Sequence, residues 1–224
     1  MTNEELALRQ AIIEASLTMN AHGINQGKSG NISVRFRNGL LITPSGLPYA
    51  EMQPEDLAVM PLDGEYGSWK GPYAPSTEWR FHIDIMRSRP DVNSVVHCHS
   101  LYATVLAICG REIPAIHYMI AMAGGPTVRI APYATFGTKE LSDHALAALE
   151  GRDCCLLANH GTISVGPDLR RALALAEELE NLARQYYLAE QLGGARILPD
   201  DEIANVMERT KHYWVAKKTS AAAE

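Results

Sequence analysis

A single α/β domain, built on a mixed or largely antiparallel sheet covered by helices, is the fold this chain predicts. Three observations lead there. Residues 31–36 (Asn-Ile-Ser-Val-Arg-Phe) alternate polar and apolar, and Asn38-Gly39 turns them into a second apolar run, Leu40-Leu41-Ile42, which is the pattern of a β-hairpin. Other short apolar segments are interleaved irregularly with stretches of helical periodicity, unlike the regular alternation of a parallel βαβ protein. The chain of 224 residues, 46% hydrophobic and 21% charged, is long enough for one well-packed core, and it shows no internal repeat, low-complexity tract or linker.

In chain order, Thr2 and Glu5 have the spacing of a capping box, and Leu6, Ile13 and Leu17 continue as an amphipathic helix to about Met19. The hairpin follows, closed by the turn residues Thr43-Pro44-Ser45-Gly46. Residues 57–60 form a short apolar strand, Asp63-Gly64 a turn, and the Gly- and Pro-rich residues 66–75 a loop. A helix begins near Ser76 and runs to about Arg87, stopped by Pro90. Asn93-Ser94-Val95-Val96 opens a strand that runs into His97-Cys98-His99. Helices are predicted over residues 101–108 and 138–149, and residues 154–158 read as a buried strand. Asp168 caps a long helix to about Leu192, ended by Gly193-Gly194, and a last helix follows Pro199 with Asp200, Asp201 and Glu202 at its start.

The chemistry concentrates at His97 and His99. Two residues apart on a strand, they point to one face while Cys98 faces the other. Such a pair is also what half-buried, hydrogen-bonded histidines look like. A third imidazole, His160, follows the apolar strand at 154–158 with Gly161 permitting a sharp turn beside it. Three imidazoles suit zinc and similar divalent ions, leaving one exchangeable position. Glu78 upstream adds a carboxylate, and a Lewis acid beside a proton-transferring carboxylate is equipment for enolate chemistry. At a helix start Glu78 is equally an ordinary dipole partner, paired with Arg80 or Lys28.

A net charge of −6 and a pI near 5.8 exclude a nucleic-acid-binding surface. No apolar run reaches bilayer length, and Met1-Thr2-Asn3-Glu4-Glu5 lacks the form of a signal peptide. The four cysteines show no Cys-x-x-Cys spacing, which points to reduced thiols and the cytoplasm.

Five dispersed motifs, in order along the chain, resemble the class II aldolase/adducin family. They are Gly30-Asn31-Ile32-Ser33-Val34-Arg35, Leu41-Ile42-Thr43-Pro44-Ser45-Gly46, Pro75-Ser76-Thr77-Glu78-Trp79-Arg80-Phe81-His82, Val95-Val96-His97-Cys98-His99 and Asn159-His160-Gly161. Residues 113–120 and 131–138 are similar to the L-fuculose-phosphate aldolases within that family. The resemblance implies a three-layer α/β/α domain spanning residues 1–224, assembled as a homotetramer with one zinc ion per subunit near the subunit interfaces. It assigns the metal ligands to His97, His99 and His160, with Glu78 as proton-transfer carboxylate and a further ligand in the empty enzyme. It assigns phosphate binding to Gly30, Asn31, Ser45, Gly46, Ser76 and Thr77. Tyr118 and Tyr213 match tyrosines that the family uses near the aldehyde end, one of them from a neighbouring subunit. Ser45 and Thr77 stand where the fuculose enzymes carry Thr and Ser, and Asn159 stands where a His is familiar.

The implied activity is reversible zinc-dependent cleavage of a ketose 1-phosphate, such as L-fuculose 1-phosphate, to dihydroxyacetone phosphate and a short aldehyde such as L-lactaldehyde. Alternatives within the superfamily are an L-ribulose-5-phosphate 4-epimerase and a methylthioribulose-phosphate dehydratase. Epimerases carry Asp at the place of Glu78 and an acidic residue in the stretch that here reads Ile116-His117-Tyr118-Met119. A third alternative, a non-catalytic adducin-like interaction domain, has no need of the intact histidines.

Overall fold

The computed structural model describes residues 1–210, so Tyr213 lies outside the described residues. One sheet holds seven strands: β1 (Asn31–Phe36), β2 (Gly39–Ile42), β3 (Ala58–Pro61), β4 (Ser94–Cys98), β5 (Arg129–Ala131), β6 (Cys154–Leu157) and β7 (Gly161–Gly166). Their spatial order is β3-β2-β1-β4-β7-β6-β5, and every neighbouring pair is antiparallel except β5 with β6. The mixed, largely antiparallel sheet is the one the hairpin content predicts.

The helices are α1 (Asn3–Ala21), α2 (Trp79–Ser88), α3 (Leu101–Ile108), α4 (Lys139–Ala148), α5 (Leu169–Gln191) and α6 (Asp200–Thr210). Strand alternation sorts their partners. Val95 of β4 and Cys155 and Leu157 of β6 pack with Phe81, Ile85 and Met86 of α2 and Leu141 and Ala145 of α4. Val96 and Cys98 of β4 join Ile12 and Met19 of α1 and Ala172 and Ala176 of α5. Cys154 and Leu156 of β6 join Leu106 of α3, Leu179 and Leu182 of α5 and Ile203 of α6. A three-layer α/β/α sandwich results, each fully buried Leu or Ile contributing roughly 1.5–3 kcal/mol.

Several local expectations need correction. Thr2 caps α1 by accepting from the Glu5 amide at 3.2 Å, but the Glu5 carboxylate turns to Arg9 at 2.8 Å, so half of the capping box forms. Buried Arg9 also donates to the carbonyls of Pro54 and Leu57, tying α1 to the entry of β3. The β1–β2 register pairs Phe36 with Gly39, so the turn is Arg37-Asn38, with Arg37 at φ 52°. Gly39 lies in the strand, where a Cβ would collide with the Met60 carbonyl. Helix α2 starts at Trp79, with Glu78 as its N-cap, rather than near Ser76. Strands β5 and β7 were not foreseen, although Thr162-Ile163-Ser164-Val165 has the same alternation as β1.

Candidate active site

β1 and β4 are registered so that Asn31 stands directly opposite His97, their side chains on one face. His97 points toward α2, where the Phe81 ring meets it edge-on at 5.4 Å, while Cys98 is buried in the opposite core. His99 follows just beyond the strand and brings its Nε2 to 3.0 Å from Nε2 of His97. His160 comes from the β6–β7 turn. The left-handed residue there is Asn159, at φ 54°; Gly161, the expected turn residue, opens β7 instead. A Cβ on Gly161 would lie 2.6 Å from the Cys98 carbonyl and 2.7 Å from Cδ2 of His99, so the missing side chain is what admits the third histidine.

Glu78 completes the group from the N-cap of α2. Its Oε2 lies 3.1 Å from His97 Nε2, and its Oε1 lies 3.1 Å from His160 Nε2. Neither Arg80 nor Lys28 is its partner: Arg80 donates to the Gly137 carbonyl at 2.7 Å and Lys28 to that of Gly46 at 2.6 Å. One ligand atom each from Glu78, His97, His99 and His160 fall within 4.8 Å of one another, a set able to hold a metal ion.

The donor set fits a divalent cation by its own chemistry. His97 Nδ1 donates to the Thr162 carbonyl at 2.8 Å, which fixes the tautomer and turns the lone pair of Nε2 toward the other ligands. Two imidazole nitrogens facing each other at 3.0 Å cannot both carry hydrogen, whereas both can ligate. Glu78 Oε1 is buried and lies near His160 without an aligned hydrogen bond, as a ligand oxygen would. Burial pushes the Glu78 carboxyl up, but the imidazoles of His97 and His160 more than offset it and hold it well below the usual carboxylate range. Burial, then the neighbouring His97 and His160, push His99 down to about 4. Burial opposes protonation of His97, yet Glu78 and the Thr162 carbonyl raise its pKa on balance.

His99, His160 and Glu78 line a cavity of ≈ 470 Å³. Of the six residues expected to bind phosphate, Gly46 and Thr77 also line it, and Lys28 and Ser29 join them. The structure shows how the other four are placed. The Ser45 amide donates to the Ala74 carbonyl at 2.9 Å and the Ser76 amide to that of Thr43 at 3.0 Å, so these loops are stitched together. The Ser76 hydroxyl accepts from the Glu78 amide at 3.3 Å. Gly30 is a close-approach glycine whose Cβ would sit 2.7 Å from the His97 carbonyl. Asn31 donates its side-chain amide to Glu78 Oε2 at 2.9 Å. Tyr118 opens a 3-10 turn, is 51% exposed, and is not among the residues lining its own chain's cavity.

Sequence reasoning passed over Lys28, Ser29, Tyr133 and Phe136 as cavity residues. The exposed rings of Tyr133 and Phe136 give the cavity an aromatic wall. Both lie within the similarity at residues 131–138, which was the available signal.

Residues 10–187 match the family described as Class II Aldolase and Adducin N-terminal domain. The chain is 53% identical over 213 residues to a 5-methylthioribulose-1-phosphate/5-deoxyribulose-1-phosphate aldolase of Rhodospirillum rubrum, covering 95% of each. It is 45% identical over 211 residues to an L-fuculose phosphate aldolase of Escherichia coli K12, covering 94% of this chain and 97% of that one. Among solved structures, an L-fuculose 1-phosphate aldolase superposes with a TM-score of 0.88 at 38% identity, over 94% of this chain and 98% of that chain. This chain belongs to the class II aldolase/adducin family, and it is an aldolase, a lyase.

Proposed function

We propose that this protein reversibly cleaves a ketose 1-phosphate into dihydroxyacetone phosphate and a short aldehyde whose far end is apolar. The observation that carries the reading is the convergence of Glu78, His97, His99 and His160, all but His97 lining a cavity that also holds Lys28, Ser29, Gly46 and Thr77. His97, His99 and His160 would hold the ion, with Glu78 beside it, and the nitrogen-rich set suits Zn2+, one per subunit. When bound, such an ion supplies Lewis acidity at the sugar carbonyl.

The chain's own residues do the rest. Lys28 and the hydroxyls of Ser29 and Thr77 bind the phosphate, with Ser45, Ser76, Gly30 and Asn31 shaping the loops around it. Anchored phosphate holds the three-carbon unit beside Glu78. Cleavage breaks the bond between the third and fourth carbons, whose electron pair stays on the third carbon, as the fourth-carbon hydroxyl gives up its proton to the ionised carboxylate of Glu78. Glu78 then delivers a proton to the third carbon, and in the synthetic direction it removes that proton. Tyr118 and Tyr213 would serve the aldehyde oxygen, one of them from a neighbouring subunit, and the family resemblance supports a homotetramer as the working assembly. The whole chain, 1–224, is read as one such domain. Four free thiols and the chemistry of a phosphorylated sugar support a cytoplasmic setting. Among the described residues no helix is long and apolar enough to cross a membrane.

The relative named for 5-methylthio and 5-deoxy pentulose phosphates joins the reaction of the leading sequence reading with the sugar of one alternative. An aromatic wall at Tyr133 and Phe136 accommodates the methyl or methylsulfanyl end of such sugars as readily as the methyl of fuculose. Zinc-loaded protein should release dihydroxyacetone phosphate from at least one of 5-methylthioribulose, 5-deoxyribulose and L-fuculose 1-phosphates. Release from none of the three would refute the reading, and conversion of L-ribulose 5-phosphate to xylulose 5-phosphate would replace it with epimerisation.

A further inference from the structure

A buried imidazole that the proposed reaction does not use stands behind the cavity. His82, on α2 four residues after Glu78, is fully enclosed. Its Nε2 lies 2.6 Å from Asn31 Oδ1 and its Nδ1 lies 2.7 Å from Ser33 Oγ. Asn31 Nδ2 in turn lies 2.9 Å from Glu78 Oε2. Asn31 and Ser33 share one face of β1, as residues two apart on a strand must. The row Ser33–His82–Asn31–Glu78 is therefore held by the packing of β1 against α2.

The direction of every hydrogen in this row follows from its charged end. An ionised carboxylate can only accept, so Asn31 turns its amide nitrogen to Glu78 and its carbonyl to His82. His82 must then donate from Nε2, which makes Nδ1 the acceptor and the Ser33 hydroxyl the donor. The opposite orientation of Asn31 would set its oxygen against a carboxylate oxygen in a dry site.

We propose that His82 is a positioning residue: through Asn31 it holds Glu78 Oε2 as an acceptor, which leaves Oε1 as the oxygen that exchanges a proton with substrate carbon. The inference rests on the reading of Glu78 as the base. Oε1 is the oxygen beside His160, a cavity residue, and it has no aligned hydrogen bond. Oε2 is taken by Asn31 and lies beside His97. In the transfer a carbon–hydrogen bond breaks, its electron pair stays on carbon, and an O–H bond forms at Oε1; the return step reverses this. Oε2 keeps the Asn31 hydrogen bond in both states, so the carboxyl need not rotate between them.

His82→Leu removes both hydrogen bonds in a similar volume, whereas His82→Gln keeps an N–H donor for Asn31. The Leu variant should lower kcat, and hydrogen–deuterium exchange into dihydroxyacetone phosphate, roughly 10- to 100-fold, the range for losing a residue that orients a catalytic group. Its KM and bound zinc should stay at the wild-type values, and the Gln variant should recover most of the rate. Nitrogen NMR of metal-free wild type should show His82 as the Nε2–H tautomer. A Leu variant with wild-type kcat, a loss confined to KM or zinc, or an Nδ1–H or doubly protonated His82 would each overturn the inference. Should the Leu variant fail to fold, the Gln variant and the tautomer decide. If zinc-bound wild type shows neither cleavage nor exchange despite an Nε2–H His82, Glu78 is not the base and this inference falls with it.

Discussion

Glu78 shows how one side chain can be buried and still ionised. It is 5% exposed, and burial alone would drive its carboxyl toward the neutral form. The imidazoles of His97 and His160 reverse that preference. An anion is thus kept ready at the edge of a set able to hold a metal ion. Glu78→Gln preserves the volume and a hydrogen-bonding carbonyl but removes the base. Zinc content and phosphate-ligand binding should survive in that variant, while cleavage and carbon-proton exchange should fall roughly 100- to 10,000-fold. Exchange at the wild-type rate would show that another group moves the proton. The place of Glu78 beside the three histidines was legible in sequence because five motifs framed it. Its partners were not, since Asn31 lies 47 residues away and His160 82 residues away along the chain.

Among the elements, the β6–β7 hairpin and the start of α2 decide whether the ligands meet. Asn159 in the left-handed region turns the chain, and Gly161 lets β7 pass close enough to β4 for His160 and His99 to share one site. Gly161→Ala adds one methyl against a backbone carbonyl and a histidine ring, neither of which can retreat cheaply. Crowding of that kind costs about 1–3 kcal/mol, and the same shift should weaken zinc binding. Unfolding in urea together with metal analysis would check both, and unchanged zinc affinity would mean that the ring adjusts freely. Helices with an Asp or Thr cap and a glycine stop, such as α4 and α5, could be read directly from residues 138–149 and 168–192. The boundary of α2 could not, because the backbone from Pro75 to Glu78 is shaped by its hydrogen bonds to the 43–46 loop.

At the scale of the whole molecule, an ion held by Glu78, His97, His99 and His160 would couple stability to metal, and the buried histidines couple it to pH. Three histidines and a glutamate gathered from α2, β4 and the β6–β7 turn join distant parts of the chain, so an ion that binds them stabilises the fold as a unit. Zinc at 100 times its Kd should add about 2.7 kcal/mol. At about 2–4 °C per kcal/mol for a chain of this size, chelation should lower Tm measurably; no change would show that the set holds no ion in solution. In the chelated protein, burial first and then His97 push His82 down to about 3, and burial likewise leads the shift of His99 to about 4. Both are bases with depressed folded-state pKa values, so the unfolded chain binds protons near pH 6.5 that the folded chain refuses. Their contribution is complete above 6.5 and is lost as pH falls toward 4 and 3, at about 1.4 kcal/mol per pH unit for each proton. His97 has the opposite sign: its raised pKa favours the folded state below 6.5, and that share fades as pH rises through the raised value. Urea titrations of chelated protein should therefore show midpoints falling between pH 6.5 and 4, and a flat profile there would mean that His82 and His99 protonate in place.

What the sequence determined by itself was local and periodic. Alternation at 31–36, helical spacing in α1, and the caps at Thr2 and Asp168 are satisfied by neighbours a few residues away, so they can be read without the fold. Glu78, His97, His99 and His160 were legible for a related reason, since each lies in a short contiguous motif, whereas the cavity residues Lys28, Ser29, Tyr133 and Phe136 were not. Only the tertiary structure decided how those residues meet. Strand register sets Asn31 against His97, and the missing side chain of Gly161 lets His160 join His99. The packing of β1 on α2 lines up Ser33, His82, Asn31 and Glu78. These are contacts between segments distant in the chain, fixed by steric fit and by the need to satisfy buried polar groups, and no local pattern encodes them.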